Sequence, residues 1–180
     1  TSADAVATLH DLGLTRDLTG LISDDLAGEF ANGVLDSCKL DGEIVYFPVA
    51  LQPQAIIYRK DRFEEAGLTI PTTWDEFIDC AKALTKDSDG DGEVDQWGFG
   101  MVGSNNSSGQ SRFMSYLWSN GVDCVTGEDG DFSTDLKADN KTFTDAFAKW
   151  TQMNNDGIVP IGITEVDYPT AANYFAMGYT

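Results

Sequence analysis

The order of apolar and polar positions changes period twice across residues 46–77, YFPVALQPQAIIYRKDRFEEAGLTIPTTWDEF. Residues 45–49 are apolar and β-rich, residues 51–54 (Leu-Gln-Pro-Gln) interrupt them, and residues 55–58 resume a strand-like run. Pro53 has no N–H to give to a ladder, so the pattern predicts two strands with an irregular crossing between them. Residues 60–66 then read as a short helix with Phe63 facing inward, and Gly67 stands where a left-handed C-terminal cap is needed. Pro71 keeps Ile70 extended. Thr73 opens a new helix, with Glu76 three residues on in the position of a capping box.

On either side the pattern is coarser. Residues 6–9 read as strand or buried turn, and residues 6–14 as an apolar run with turn residues. Over residues 24–38, Leu26, Phe30, Val34 and Leu35 recur with a helical rhythm. Residues 74–86 are amphipathic, with Phe77, Ala81 and Leu84 on one stripe and Trp74, Ile78 and Cys80 beside it. Residues 97–102 (WGFGMV) predict a buried strand and residues 104–110 a polar loop. A short helix over residues 113–120 stops at Gly121, and an acidic ribbon or loop follows over residues 126–140. The longest helix is expected over residues 140–156, with Phe143, Ala146, Phe147, Trp150 and Asn154 inward and Gly157 and Pro160 beyond its end. The last runs over residues 169–177 and ends on Gly178.

Charge narrows the function classes. The chain has 180 residues, 30 acids against 11 Lys+Arg, and a formal charge of −19. Nucleic acid and anionic membrane surfaces would be repelled by it, which suits a secreted or cell-surface protein, or one holding cations. No apolar run approaches the 18 residues of a membrane span, and no signal peptide is read at residues 1–3, where the sequence reads as mid-chain. Cys38, Cys80 and Cys124 lack metal or redox spacing; they are small buried hydrophobes, or two of them pair.

Three segments carry a resemblance. Gly42-Glu-Ile-Val-Tyr46-Phe-Pro48, Tyr58-Arg-Lys-Asp61-Arg-Phe63-Glu-Glu-Ala66-Gly67-Leu68 and Pro71-Thr-Thr-Trp74-Asp-Glu76 follow one another at the spacings of the extracellular solute-binding proteins of sugar ABC transporters. The chain resembles that maltose-binding-protein-like family, departing from it at Arg59, where the family usually has Asn. The resemblance implies an α/β fold of the periplasmic-binding-protein type II class. It also implies a central fragment, mostly the second lobe with the hinge and a remnant of the first. Residues 1–50 would be the remnant of lobe one and residues 51–180 a partial lobe two, with Phe175-Ala-Met-Gly178 where the family returns to lobe one. A fragment of that kind is expected to self-associate through uncovered apolar surface. The implied function is capture of a sugar or oligosaccharide outside the cell, by closure of two lobes, for delivery to an ABC permease. The 180-residue piece alone is expected to bind sugar weakly or not at all.

Two groups of residues carry candidate chemistry. In Asp87-Ser-Asp89-Gly-Asp91-Gly92-Glu93-Val-Asp95, side-chain oxygens fall at positions 1, 3, 5 and 9, a carbonyl (Glu93) at position 7 and glycine at position 6. That is the front half of a calcium loop, and several sugar receptors resemble it here. Gly98 stands at position twelve instead of a bidentate Glu, so the expectation is a structural Ca2+ turn rather than an EF-hand; an acidic surface turn is the bland alternative. For sugar, the candidates are Gln52 and Gln54 at the crossing, and Asn105, Asn106, Gln110 and Arg112 in the loop after the buried strand. Trp118 and Trp150 sit at apolar helical positions and are expected in the core, while Tyr168 and Tyr174 face a cleft or are half-buried. The rivals are an acidic glycoside hydrolase, whose carboxylate pairs arise by chance among 30 acids, and a calcium-stapled interaction module. No nucleophile or phosphate-loop motif accompanies His10, read as a surface or packing residue, and the chain is not expected to be an enzyme.

Overall fold

A computed structural model describes residues 3–128 and 131–180; residues 1, 2, 129 and 130, the last two within the expected acidic ribbon, lie outside the description. The chain divides into two units, Thr1–Pro53 and Gln54–Thr180.

In the first unit, helix α1 spans Ala3–Asp11 where a strand or buried turn is expected. A short apolar run does not separate the two periods, and here the alanines favour the helix, with Val6 buried and Leu9 and His10 one turn on. His10 takes a packing role at the end of α1, its ring bonded to Thr15 and 3.4 Å from the Asp41 carboxylate. The helical rhythm of residues 24–38 yields α2, Asp24–Ala27, capped by Ser23, and a single 3-10 turn over Asp36–Cys38. Gly28 and a left-handed Gly33 (φ 82°) break what the apolar spacing alone would continue. Strands β1 (Lys39–Leu40) and β2 (Glu43–Ile44) then form a two-stranded antiparallel ribbon.

Residues 46–59 contain neither of the two expected strands. A strand exists only where another pairs with it, and β-branched composition cannot supply the partner. Val49 is 93% exposed and Ile57 76% exposed.

The second unit is where the core sits. Helix α3 (Lys60–Glu65) ends at a left-handed Gly67, and the Arg62 guanidinium donates to the Gly178 carbonyl. Helix α4 (Trp74–Leu84) opens on the complete Thr73–Glu76 capping box. It buries Ile78, Ala81 and Leu84, with Trp74 and Phe77 packed at the edge. Residues 97–103 include the buried Met101 and Val102, yet they form no regular strand. Three of their N–H groups go to three separate carbonyls, Trp97 to Tyr179, Phe99 to Ile158 and Gly103 to Val166, and that of Gly98 goes to the Thr85 hydroxyl.

Helix α5 spans Ser107–Ser119, six residues earlier at its start than the apolar pattern suggests, because Asn106 caps a Ser- and Gly-rich first turn. A hairpin of β3 (Thr126–Glu128) and β4 (Asp131–Ser133) follows. Helix α6 (Lys141–Asn155), capped by Asn140, buries Ala146 and Met153; Asn154 lies outside, and Phe147 is 47% exposed. Helix α7 (Tyr168–Met177) ends on left-handed Gly178. Leu117, Val122, Met153 and Ile158 lie at the centre of this core, ringed by the aromatic group of Trp74, Phe77, Phe99, Phe113, Tyr116 and Trp150. Trp118, expected inside, is 56% exposed, since α5 turns Leu117 and Tyr116 inward instead. The three cysteines are unpaired: Cys38 and Cys124 are buried and Cys80 half-buried.

The Tyr116 hydroxyl donates to the Ala146 carbonyl at 2.9 Å and joins α5 to α6. Burial, helped by the nearby Asp75 charge, pushes its pKa up to about 12. A phenol whose folded pKa exceeds its unfolded value keeps its proton longer in the folded state. Stability is therefore unaffected below pH ~10 and falls between pH ~10 and 12, by on the order of 2 kcal/mol. Denaturant unfolding at stepped alkaline pH should show this slope, and Tyr116→Phe should flatten it.

Candidate functional site

A pocket that sets amide side chains against aromatic rings lies in the second unit, at the start of α5. It has a volume of about 290 Å3 and is lined by residues 102–106 together with Gly109, Gln110, Phe113, Phe147 and Trp150. Two physical features build it. Residues 97–103 end buried at Val102, so the chain emerges there as a loop at the rim of the core. Gly109 then lets the first turn of α5 close on that loop: a Cβ there would lie 2.0 Å from the Ser104 carbonyl oxygen.

Opposite the loop stand the aromatic residues. Phe113 projects from α5, and Phe147 and Trp150 from α6, with Phe113 5.4 Å from Trp150 and 6.0 Å from Phe147 between ring centroids. Trp150 is half-buried: it packs against Tyr116 at 4.7 Å and also forms pocket wall, a double role that periodicity, which assigned it to the core, does not reveal. Phe113 and Phe147 belong to the lining as well, and helical spacing hinted at it only in setting Phe147 on the same face as Trp150.

Asn105, Asn106 and Gln110 are brought together at this pocket. Asn106 is held hard. Its side-chain oxygen accepts from the Ser108 N–H at 2.9 Å, the Gly109 N–H at 3.4 Å and the Ser104 hydroxyl at 3.0 Å. Arg112 does not line the pocket: its guanidinium lies over the Tyr168 ring at 4.6 Å and donates to the Ser108 carbonyl and the Ser111 hydroxyl. Gln52 and Gln54 are exposed, one in each unit, and neither lines this pocket. Apolar ring faces opposite amide groups can bury C–H surface while donating to and accepting from hydroxyls.

The acidic loop forms a second centre. Carboxylate oxygens of Asp87, Asp89 and Asp91 lie within 4.8 Å of one another. One Asp87 oxygen accepts from the Gly90 N–H at 2.6 Å and the other from Gly92 at 2.8 Å, which holds its carboxyl below the usual carboxylate range. Asp95 turns back to accept from the Ser88 N–H at 2.9 Å, and the Glu93 N–H donates to Asp91. A spread of 4.8 Å is about twice a Ca2+–oxygen distance, so one cation can touch all three aspartates; the donor set fits a hard, oxygen-preferring ion.

Comparison with known proteins identifies the chain's kin. A family model described as bacterial extracellular solute-binding protein matches residues 2–179. The chain belongs to this family. Proteins similar to it include one of Brucella abortus (strain 2308) whose name goes no further than binding protein, 29% identical over 168 residues, covering 92% of this chain and 38% of that one. An uncharacterized ABC transporter extracellular-binding protein of Pyrococcus horikoshii is 32% identical over 82 residues, 45% of this chain and 19% of the relative. Among solved structures, an ABC transporter solute-binding protein from Agrobacterium radiobacter K84 in complex with ribitol superposes with a TM-score of 0.72 at 25% identity. It covers 94% of this chain, which spans 41% of it. The maltose/maltodextrin-binding domain MalE of Bdellovibrio bacteriovorus, bound to maltotriose, gives 0.60 at 22% identity, over 97% of this chain and 42% of its own. The chain thus spans about two fifths of the length of these full-coverage matches, and the fold is that of the type II periplasmic binding proteins.

Proposed function

We propose that the full-length protein is the carbohydrate-binding receptor of an ABC importer, outside the cytoplasm, either free or lipid-anchored. In this reading it captures a sugar or oligosaccharide between two lobes and hands it to a membrane permease. Residues 1–50 are assigned to lobe one and residues 51–180 to lobe two. The observation that carries the reading is the pocket at the start of α5, where Asn105, Asn106 and Gln110 face Phe113, Phe147 and Trp150 in a chain of the solute-binding family. The ribitol and maltotriose held by the two structural neighbours support a polyhydroxylated ligand. Among the described residues no helix is long and apolar enough to cross a membrane.

The test is a thermal-shift screen of the full-length gene product against mono- and oligosaccharides, with the stabilising compound recovered afterwards and analysed. A sugar that stabilises and returns intact is the expected result. One that returns cleaved would make the protein a glycoside hydrolase instead.

The acidic loop is proposed as a structural Ca2+ site held by Asp87, Asp89 and Asp91, with Asp95 and the Glu93 carbonyl as the further donors expected from spacing. The ion would offset the mutual repulsion of these carboxylates and pin the loop between α4 and residue 97. A cation that binds only the folded state adds about 2.7 kcal/mol at a hundredfold excess over its Kd. Added Ca2+ should therefore raise the melting temperature by several degrees, excess chelator should reverse it, and Asp87→Asn with Asp89→Asn should abolish the response. An unchanged melting curve would remove the ion from the description. The 180-residue piece on its own, with Val49, Leu51, Ile56 and Ile57 exposed, is proposed to self-associate. Light scattering across a concentration series should show its mean mass rising.

A further inference from the structure

The pocket sits at the first turn of a 13-residue helix, a position whose free N–H groups and dipole ordinarily favour anions. Here most of those donors are consumed. The Asn106 side-chain oxygen takes the Ser108 and Gly109 N–H groups, and the Asn106 carbonyl takes that of Gln110 at 3.0 Å. That side-chain oxygen receives a third donor, the Ser104 hydroxyl, so its lone pairs are saturated and its amide NH2 is what remains to offer a ligand. Among the described residues no charged side chain lines the pocket, and the neighbouring cation, Arg112, is committed to the Tyr168 ring and to Ser108 and Ser111. A phosphate or carboxylate entering this space would give up part of its water and meet a helix terminus whose Ser108 and Gly109 N–H groups are already taken, with no guanidinium to replace them. A neutral hydroxyl meets amides it can bond and ring faces for its C–H surface.

We infer that Asn106 is a specificity-determining residue: by plugging the N-terminus of α5 with its own side chain, it makes the pocket accept neutral polyhydroxylated ligands and reject phosphorylated or carboxylated ones. The inference rests on the carbohydrate reading of this pocket. It also accounts for a choice that stability leaves open, since Asn, Asp and Ser cap helices about equally well.

The test is calorimetry on the full-length gene product with ribitol and glucose, and with ribitol 5-phosphate, glucose 6-phosphate and glucuronate. A neutral compound should bind at least about tenfold more tightly than its anionic counterpart. Asn106→Gly removes the plug while keeping a residue that helices accept at this position, and should narrow that ratio about tenfold by freeing two N–H groups for the anion. Asn106→Ser keeps a capping oxygen and should leave the ratio close to wild type. Tighter binding of the anionic compounds by the unaltered protein would overturn the inference while leaving the carbohydrate reading intact. An unchanged ratio in Asn106→Gly, with a normal melting temperature, would also overturn it. Failure of all five compounds, and of the wider sugar screen, would overturn both readings together.

Discussion

Gly98→Ala is expected to cost about 3 kcal/mol or more, at the upper end of what overpacking does. A methyl group built on Gly98 would lie 1.9 Å from the carbonyl oxygen of Ala81 and 2.5 Å from its carbonyl carbon and Cα. These atoms are backbone of α4, so no side chain can swing aside to relieve the clash. The glycine is also bonded into the same place: its N–H donates to the Thr85 hydroxyl at 3.0 Å, and that hydroxyl donates to the Ala81 carbonyl at 2.8 Å. For the methyl to fit, residues 97–103 must draw back from α4. The Trp97–Tyr179 and Phe99–Ile158 hydrogen bonds would then weaken, and the loop at residues 102–106 would shift with them. Denaturant unfolding should show a midpoint far below that of Gly20→Ala, where the added methyl group meets nothing within 4 Å. A loss for Gly98→Ala within 0.5 kcal/mol, the range of an unremarkable surface change, would contradict this packing.

The position of Gly98 illustrates which features the sequence discloses. Features written in three or four consecutive residues were legible: the Thr73–Glu76 capping box, the Asn140 start of α6, the left-handed ends at Gly67 and Gly178. Each is local chemistry, complete within one turn of chain. The motifs at residues 42–48, 58–68 and 71–76 were legible in the same way, and through them the family and its fold. Contacts between segments far apart were not. Residues 45–49 and 55–58 have strand composition, but composition does not say what pairs with them, and residues 97–103 bury Met101 and Val102 while giving N–H groups to Tyr179, Thr85, Ile158 and Val166. The closeness of Gly98 to Ala81 is likewise invisible until both segments are in place.

The candidate pocket divides along the same line. Its polar side, Asn105, Asn106 and Gln110, was legible because loops that follow buried extended segments are where α/β proteins bind ligands. Its aromatic side comes from two helices, with Trp150 more than 40 positions beyond Asn106. Helical periodicity tells which residues share a face. It does not tell whether protein covers the whole of that face, and so it placed Trp118 and Trp150 alike in the core. Trp118 proves exposed, and Trp150 is shared between core and pocket.

That sharing makes Trp150 the position where stability and binding separate most sharply. Trp150→Ala should cost about 3 kcal/mol, because the indole packs on Phe113 and Tyr116 over a buried core and its removal leaves a large cavity. Trp150→Phe keeps a ring against both neighbours and should retain most of that stability, yet it shortens the pocket wall by the outer half of the indole. If a sugar stacks there, its affinity should fall by about 1 kcal/mol, roughly fivefold, in the phenylalanine variant. Trp118→Ala, at an exposed site on α5 outside the lining, should change both quantities by less than about 0.5 kcal/mol. Unfolding curves and calorimetry on the three variants check the pattern. Full sugar affinity in Trp150→Phe would mean that the ring holds up the core and the ligand rests on Phe113 and Phe147 alone.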